Sequence, residues 1–437
     1  MSSALHTYQR EFHDNSTHLP GWNAWQIRRS RQAAMQRVMQ TDLPTQKLEN
    51  WKYTSTRRLS QTPYALYTGG CVGLYLEDLD PFLVDRQASH RLVFINGLLS
   101  RRLSCLDDLP NAVQVASMAR IADESPAMLS PWLEPVLTGH DQGFAELNQA
   151  LWLDGAFVHI PAGVQLIKPL QLLFLTTPFQ EPIVTFPWNL VIVGKSAQAL
   201  VIESYLTLGQ GAHFSNARTT LVLEPQARLE HLLLLGESEL AWHVGSVQAT
   251  QKEGSRLDSR IFAAGGELTR QELQITLAGA EAECFQEGLF LAGRRQHMDL
   301  HSWLHHTCSN TRSRQLFKSV LDGHARGVFN GVIRIPPDLQ NIQAEQKTAN
   351  LLLTDTAEID AKPQLEIHSD AVQCSHGATV GGMNPEAMFY LQSRGLDVDA
   401  ARLLLIQGFA DELLQTIKPA PVQEWLRQRL NQERNLP

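Results

Sequence analysis

The stretches Leu190-Val-Ile-Val-Gly-Lys-Ser-Ala197 and Leu221-Val-Leu-Glu-Pro-Gln-Ala227 share one arrangement: an apolar strand, a short turn and an alanine. In both, the alanine lies four positions after the last strand residue, since 197 − 193 and 227 − 223 are both 4. The same spacing recurs later in the chain, and a looser copy places an alanine five positions after Leu277. These further alanines are Ala282, Ala325 and Ala357.

The separation between neighbouring copies indicates the kind of fold. It is 30 residues in the first pair (223 − 193) and 32 in a later pair (353 − 321). A small residue at a fixed place fits a tight corner, and a period of this length is typical of solenoids, whose coils bury only their neighbours. We therefore predict a mainly β fold with a β-solenoid core. A large β-sandwich built from similar hairpins is the alternative.

The solenoid pattern extends over residues 151–382, and helical patterns lie on both sides of it. Residues 1–150 are predicted to form a helical or mixed N-terminal region, because apolar residues such as Trp25 and Val38 recur there with a helical period. Within this region, Asn96-Gly97 between two apolar runs predicts a type I′ hairpin turn. Residues 383–437 are predicted to form a C-terminal helical region.

The composition excludes several classes of protein. The 437-residue chain is 43% hydrophobic and 19% charged, which are globular proportions. Its net charge of −8 argues against nucleic-acid binding, which usually needs a basic face. Because no secretion signal and no apolar run of membrane-spanning length is visible, we expect a cytoplasmic protein that binds no membrane.

The arrangement of the cysteines and the absence of common catalytic motifs further limit the possible functions. The five cysteines are Cys71, Cys105, Cys284, Cys308 and Cys374. They are scattered and odd in number, which favours reduced thiols over a disulfide framework or a structural zinc site. The chain contains no phosphate-binding loop, no dinucleotide-binding glycine motif and no nucleophile elbow. We therefore expect no nucleotide hydrolysis by this chain alone, and the absence of these motifs weakens the enzyme class without excluding it.

One cluster of potential metal ligands comprises His297, His301, His305, His306 and Cys308. On a helix, His301 and His305 would share a face and could bind a metal. The flanking residues alternate as in a strand, however, and on a strand these side chains would be spread along the solenoid. A ladder of histidines on a solenoid face is then the simpler interpretation, and the role of the cluster stays open.

A second cluster lies where the solenoid pattern ends, in the segment of residues 366–382. Cys374 and His376 are two residues apart, so on an extended strand both side chains point the same way. A thiolate and an imidazole together suit iron or zinc, although two ligands do not complete a site. We predict a candidate metal site whose other ligands come from elsewhere, such as another subunit. A buried cysteine beside a turn histidine is the alternative.

The C-terminal region shows clear helix boundaries and an apolar stripe. Asn384-Pro385 is a favourable helix start, and Gly395 is a favourable stop. In the following helix, Leu405, Phe409 and Leu413 recur every four residues and share one face. This face either caps the solenoid or docks a partner, and it could do both.

The segment around Cys374 and His376 also resembles a known family. Residues 363–381, with Phe389-Tyr-Leu-Gln-Ser-Arg-Gly395, are similar to the signature of the SufB/SufD family of iron–sulfur cluster assembly proteins. Glu49-Asn-Trp-Lys-Tyr-Thr54 and Phe329-Asn-Gly-Val-Ile333 resemble further family motifs in the same order. The form Cys-Ser-His-Gly-Ala-Thr-Val-Gly at residues 374–381 resembles the SufD branch, and no cysteine occurs in the upstream coil where SufB-like chains carry one.

This resemblance implies a right-handed parallel β-helix between two helical regions, and a non-ATPase subunit of a complex with SufB and the ATPase SufC. It implies that iron or a nascent iron–sulfur cluster is bound transiently at the SufB interface near His376 and Cys374, with no cofactor held firmly by the isolated chain. It also implies that SufC docks on the C-terminal helices. This docking matches the apolar stripe of Leu405, Phe409 and Leu413, and with Phe389, Tyr390 and Arg394 of the family-like segment these are the predicted partner-binding residues.

Two other functions stay open from the sequence. One is the SufB-like role of a cluster scaffold, against which the cysteine pattern argues. The other is a β-helix enzyme acting on carbohydrate, with Glu366 and Asp370 as paired carboxylates. The chain alone could also form a homodimer, because solenoid ends expose strand edges.

Overall fold

The computed structural model describes residues 3–62, 64–69, 73–84, 89–133, 143–179, 181–417, 420, 422–424 and 426–427. Cys71 and the end of the C-terminal region after residue 427 lie outside these residues.

Strands dominate the chain from residue 156 to residue 381. In chain order the strands are β1 (Ala65–Leu66), β2 (His90–Ile95), β3 (Leu98–Leu99), β4 (Gln114–Ser117), β5 (Ala156–Ile160), β6 (Leu170–Thr176), β7 (Ile183–Thr185), β8 (Trp188–Val193), β9 (Gln198–Thr207), β10 (His213–Leu223), β11 (Arg228–Gly236), β12 (Trp242–Gln251), β13 (Arg256–Ala264), β14 (Leu268–Leu277), β15 (Glu283–Ala292), β16 (His297–His306), β17 (Arg312–Leu321), β18 (Arg326–Ile335), β19 (Gln340–Leu352), β20 (Glu358–Ile367) and β21 (Ala371–Gly381).

The strands form two sheets, and from β8 onward successive strands alternate between them. One sheet has the order β20-β18-β16-β14-β12-β10-β8-β5-β4; β7 joins it by pairing with β10, and β1 pairs with β7. The other has the order β21-β19-β17-β15-β13-β11-β9-β6-β2-β3. Each strand from β8 to β19 pairs in parallel with the strand two places later in the chain. The chain therefore forms a parallel β-solenoid of about seven turns, as predicted, and not a sandwich of hairpins.

The corners explain the repeated alanine. Ala197, Ala227, Ala325 and Ala357 all lie next to a strand start and are at most 5% exposed. At equivalent corners the chain places Ser255 or Thr311, which are equally buried. A small side chain is needed because the backbone turns inward there and leaves little room against the packed interior.

Helices cover the first turns of the solenoid. In this part of the chain they are α1 (Ser3–Asn15), α2 (Trp25–Thr41), α3 (Arg57–Gln61), α4 (Met118–Glu124) and α5 (Gly143–Leu151), with short 3₁₀ turns at Ser16–His18, Glu49–Trp51, Leu76–Phe82, Pro126–Met128 and Ser130–Trp132. Their apolar faces pack with Phe214, Val244 and Leu268 on the outer face of the β20-to-β4 sheet. The region also contributes β2, which pairs with β6 and turns back to β3 at Asn96 and Gly97, both with positive φ (52° and 83°).

After the last strand the described part of the chain forms the helices α6 (Pro385–Ser393) and α7 (Val398–Leu414). As predicted, the Asn384 side chain caps α6 by accepting from the backbone N–H groups of Glu386 and Ala387. Asp397 caps α7 in the same way. The end of α7 packs on the outer face of the other sheet, where Leu413 and Leu414 join one apolar cluster with Leu289. None of the described helices is long and apolar enough to cross a bilayer.

Candidate functional site at the open end of the solenoid

The last turn of the solenoid leaves two strand edges open. β20 pairs with β18 and β21 pairs with β19, and no described strand pairs with their other edges. The inward side chains of this turn are correspondingly less covered than those of earlier turns. Val380 is 53% exposed. Partly buried apolar residues continue this surface: Ile359, Leu365, Ile367 and Val372. The interior of the solenoid thus emerges here as an apolar surface bordered by unpaired backbone groups.

Cys374 and His376 lie on this surface. In the ladder between β19 and β21, Cys374 pairs with Ala344 and His376 pairs with Gln346. Ala344 and Gln346 are fully buried in the solenoid interior, so their partners in register also point inward. Because β21 is the last strand, Cys374 is only half-buried and His376 is exposed. Both side chains therefore project from the open end, as the spacing predicts for a strand.

The environment of Cys374 favours the neutral thiol in the isolated chain. Partial burial raises the pKa of this thiol, and a backbone hydrogen bond at Ala344 acts in the opposite direction. A metal ion that binds the sulfur would have to displace this proton. Among the described residues, no group of three or more histidine, cysteine or carboxylate side chains is arranged so that it could hold a metal ion.

The carboxylates Glu366 and Asp370 do not form a pair. Glu366 lies on the exposed side of β20, where its carboxylate is 3.4 Å from the Arg334 guanidinium. Asp370 lies in the bend between β20 and β21. The expectation that they act as paired carboxylates is wrong, because β20 ends at Ile367, before Asp370. They therefore lack the shared setting that acid–base catalysis needs.

The histidine-rich segment forms strand β16, and its side chains divide between the two faces of the sheet. His306 points into the interior, where its ring nitrogens lie 2.7 Å from Thr311 Oγ1 and 2.9 Å from Ser313 Oγ. Burial, with the nearby His305, lowers the pKa of His306 to about 4. His297 and His301 lie on the outer face, in contact with Asp299 and the N-terminal motif. The helical interpretation, with a shared metal, does not apply to a strand.

The N-terminal motif Glu49-Asn-Trp-Lys-Tyr-Thr54 lies across the outer face of the solenoid. The Arg270 guanidinium stacks 3.8 Å from the centroid of the Trp51 ring and donates to the Asn50 carbonyl oxygen at 3.0 Å. Thr54 Oγ1 donates to Asp299 at 2.6 Å, and the Glu49 carboxylate pairs with Lys362 of β20 at 2.9 Å. We call this set the N-terminal clasp. It connects the N-terminal region to β14, β16 and the last turn.

Sequence reasoning did not find Arg270 and Asp299, which complete the clasp. Both are fully buried, and they form an ion pair with each other. The sequence offered no clear signal, because the outward neighbours of these residues include Glu272 beside Arg270 and two histidines beside Asp299. Only the fold shows that Trp51 covers Arg270. Burial alone would raise the pKa of Asp299, yet Arg270 and His301 together hold it well below its usual range.

The C-terminal helices divide the predicted partner-binding residues into two groups. On α6, Phe389 is 72% exposed and Tyr390 is 57% exposed, and Arg394 stacks on the Tyr390 ring. On α7, Leu413 is buried against the solenoid, whereas Leu405 and Phe409 are partly buried. The Lys318 ammonium group lies 4.5 Å from the centroid of the Phe409 ring and also pairs with Glu412. The α7 stripe thus attaches the helix to the solenoid, and the exposed aromatic pair lies on α6.

Comparison with known proteins assigns the chain to a family. Two protein-family models match the chain. Residues 175–409 match the family model described as SUF system FeS cluster assembly, SufBD core domain, and residues 2–172 match that of the SufBD protein N-terminal region. An iron–sulfur cluster assembly SufBD family protein of Synechocystis is 33% identical over 406 residues, which cover 91% of this chain and 89% of the relative. Escherichia coli SufD is 30% identical over 92% of each chain, and Bacillus subtilis SufB is 24% identical over 63% of this chain and 59% of its own. The chain belongs to the SufBD family of iron–sulfur cluster assembly proteins.

Proposed function

We propose that this chain is the SufD-type, non-ATPase subunit of an iron–sulfur cluster assembly complex. In this proposal it pairs end to end with a SufB-type partner, and iron or a nascent cluster is the cargo held transiently between them. A SufC-type ATPase supplies the energy from ATP. The observation that carries the proposal is the open end of the solenoid, which presents Cys374 and His376 together.

The open end is suited to a second solenoid. Two unpaired strand edges can each accept a partner strand, which gives main-chain hydrogen bonds across both sheets. The apolar inward row around Val380 would then continue into the partner's interior and lose its exposure to water. A SufB-type chain supplies such an end because it shares the family and has its own solenoid strands to offer. A second copy of this chain is the competing occupant when the partner is absent.

Docking would complete the ligand set. Thiolate and imidazole are ligands that iron accepts readily, and cluster iron is usually held by cysteine thiolates. Cys374 and His376 provide one of each, about 7 Å apart along the strand by the normal rise per residue. Because both project from the last turn, ligands from the partner can approach the same point.

The ATPase is proposed to dock on α6, where Phe389 and Tyr390 form an exposed aromatic surface. Solvent-exposed aromatic side chains are frequent anchors at interfaces. A force applied there would reach the solenoid through α7, whose end is fixed by Leu413 and by the Lys318–Glu412 ion pair. In this proposal α6 receives the force from the ATPase, and α7 transmits it to the solenoid.

The test is cluster formation in cells that co-express this chain with SufB-type and SufC-type partners. His376→Ala is compared with Ser375→Ala, which alters the adjacent outward-facing side chain of the same strand. We expect His376→Ala to lose the cluster while the complex still purifies intact, and Ser375→Ala to match wild type. Normal cluster content in His376→Ala would refute the ligand role and leave the chain as a mechanical link to the ATPase. Cluster assembly by the isolated chain would instead support the scaffold role.

A further inference from the structure

A column of glutamines runs through the interior of the solenoid and ends at His376. Gln286 of β15 pairs in register with Gln315 of β17, which pairs with Gln346 of β19, which pairs with His376 of β21. The three glutamines are fully buried. In-register side chains of a parallel sheet stack directly above one another, so the imidazole of His376 occupies the next place in the column.

The amides of the column all point the same way. Gln315 Nε2 donates to Gln286 Oε1 at 2.5 Å, and Gln346 Nε2 donates to Gln315 Oε1 at 2.6 Å. Ser302 Oγ lies within the network, because it donates to Gln286 Oε1 at 3.2 Å and accepts from Gln315 Nε2 at 2.9 Å. Because the side-chain N–H of Gln346 is directed toward Gln315, its side-chain carbonyl oxygen is directed toward the open end of the solenoid.

That carbonyl oxygen is an unused acceptor. Gln346 Oε1 is buried and has no hydrogen-bond partner among the residues that the structure describes. The amide has little freedom to turn away, because a Cβ atom at Gly331 on the facing strand would already collide with Gln346 Nε2. A buried acceptor without a donor is unfavourable, and the next donor in its own column is a ring N–H of His376.

We propose that Gln346 is a positioning residue for His376. Its carbonyl oxygen accepts a hydrogen bond from one ring nitrogen of His376, which keeps the proton on that nitrogen and leaves the lone pair of the other nitrogen directed out of the open end toward iron. Metal-binding histidines in general have their second ring nitrogen held by such an acceptor. A neutral amide does this without adding a buried charge to the interior. The inference rests on the proposed ligand role of His376.

The tautomer of His376 can be measured without any metal or partner. The full-length chain is labelled with ¹⁵N-histidine, and long-range ¹H–¹⁵N spectra distinguish the two neutral tautomers. The signals of His376 are identified by their loss in His376→Gln. We expect one tautomer in the wild type and a mixture in Gln346→Met, which keeps the length of the side chain but removes the acceptor.

Thr348→Val is the matched control. It removes a buried polar group from the same face of β19, two residues from Gln346, and we expect it to leave the tautomer unchanged. A mixture of tautomers in the wild type would overturn the proposal, even if Gln346→Met does not fold. A single tautomer in both the wild type and Gln346→Met would overturn it as well. Neither result depends on cluster formation, so failure of this inference is distinguishable from failure of the ligand role.

Discussion

Replacement of Asp299 by asparagine should detach the N-terminal clasp from the solenoid. The substitution keeps the shape of the side chain but removes the negative charge that pairs with the buried Arg270. Arg270 then keeps Glu272, at 2.7 Å, as its remaining carboxylate partner. Removal of one partner of a buried ion pair generally costs about 3–5 kcal/mol, because the other charge stays buried. We expect an effect in that range on the free energy of opening of the clasp.

The control is Glu224→Gln, the same change of carboxylate to amide in an exposed pair. Glu224 accepts from Lys252 Nζ at 2.8 Å, and both side chains are about a third or more exposed to water. Such pairs contribute at most about 1 kcal/mol. Native-state hydrogen exchange at the Thr54 amide, which donates to the Trp51 carbonyl, measures local opening and does not require two-state unfolding of a solenoid. If Asp299→Asn and Glu224→Gln lowered the opening free energy at the Thr54 amide by amounts that agree within about 1 kcal/mol, the buried ion pair would not be what holds the clasp.

The same pair predicts an acid dependence. The folded state lowers the pKa of Asp299, so its contribution to stability is complete above the unfolded pKa of about 3.9 and is lost as the pH falls further. The difference between the wild type and Asp299→Asn should therefore be constant near neutral pH and shrink below about pH 4. A difference that stayed constant to pH 2 would show that the charge of Asp299 is not what stabilises the clasp.

Three further predictions concern other parts of the molecule. The folded state lowers the pKa of His306 to about 4, so the free energy of unfolding should fall by up to about 3 kcal/mol as the pH falls from 6.5 to 4. Urea titrations of His306→Gln should lack this pH-dependent loss. Ala227→Leu should overfill a buried corner and lower the free energy of unfolding by about 1–3 kcal/mol. Ala371→Leu, at an exposed position, should change the urea midpoint little. Equal urea midpoints for the two variants would contradict the requirement for a small residue at the corner. Val380→Asp should prevent co-purification with a SufB-type partner, whereas Gln373→Asp, on the outward face of the same strand, should not; retention of the partner by both would exclude the open end as the interface.

Local sequence patterns predicted the parts of the fold that depend on neighbouring residues. The spacing of Ala197 and Ala227 predicted buried corners, because a corner constrains one position wherever it occurs. The Asn96-Gly97 turn and the Asn384 cap were predicted for the same reason. The number of solenoid turns was harder to predict, because the number of residues per turn varies. Register advances by 30, 28 and 26 residues between Val193, Leu223, Gln251 and Leu277, so no single period covers the chain.

Features that join distant segments were not predictable in the same way. Nothing near Trp51 indicates that it covers Arg270, more than 200 residues later. The glutamine column is likewise hidden, because Gln286, Gln315 and Gln346 align only once the register of three turns is known. For the candidate site, the sequence pattern placed Cys374 and His376 where the solenoid ends, and their spacing predicted a shared direction. It did not show that they lie in register with the buried Ala344 and Gln346 of the preceding turn. The buried end of α7 was visible only as an apolar stripe, which suits internal packing and docking equally well.

The two open strand edges have a consequence for the supply of this protein in the cell. A newly made chain that has no partner exposes the same hydrogen-bonding edges and apolar row on which strand-by-strand aggregation grows. Under the proposed pairing with a SufB-type partner, synthesis of this chain in excess of that partner would leave chains that pair with one another or become substrates for chaperones and proteases. The proposal therefore implies, through the geometry of β20 and β21, that the two chains have to be produced in balanced amounts.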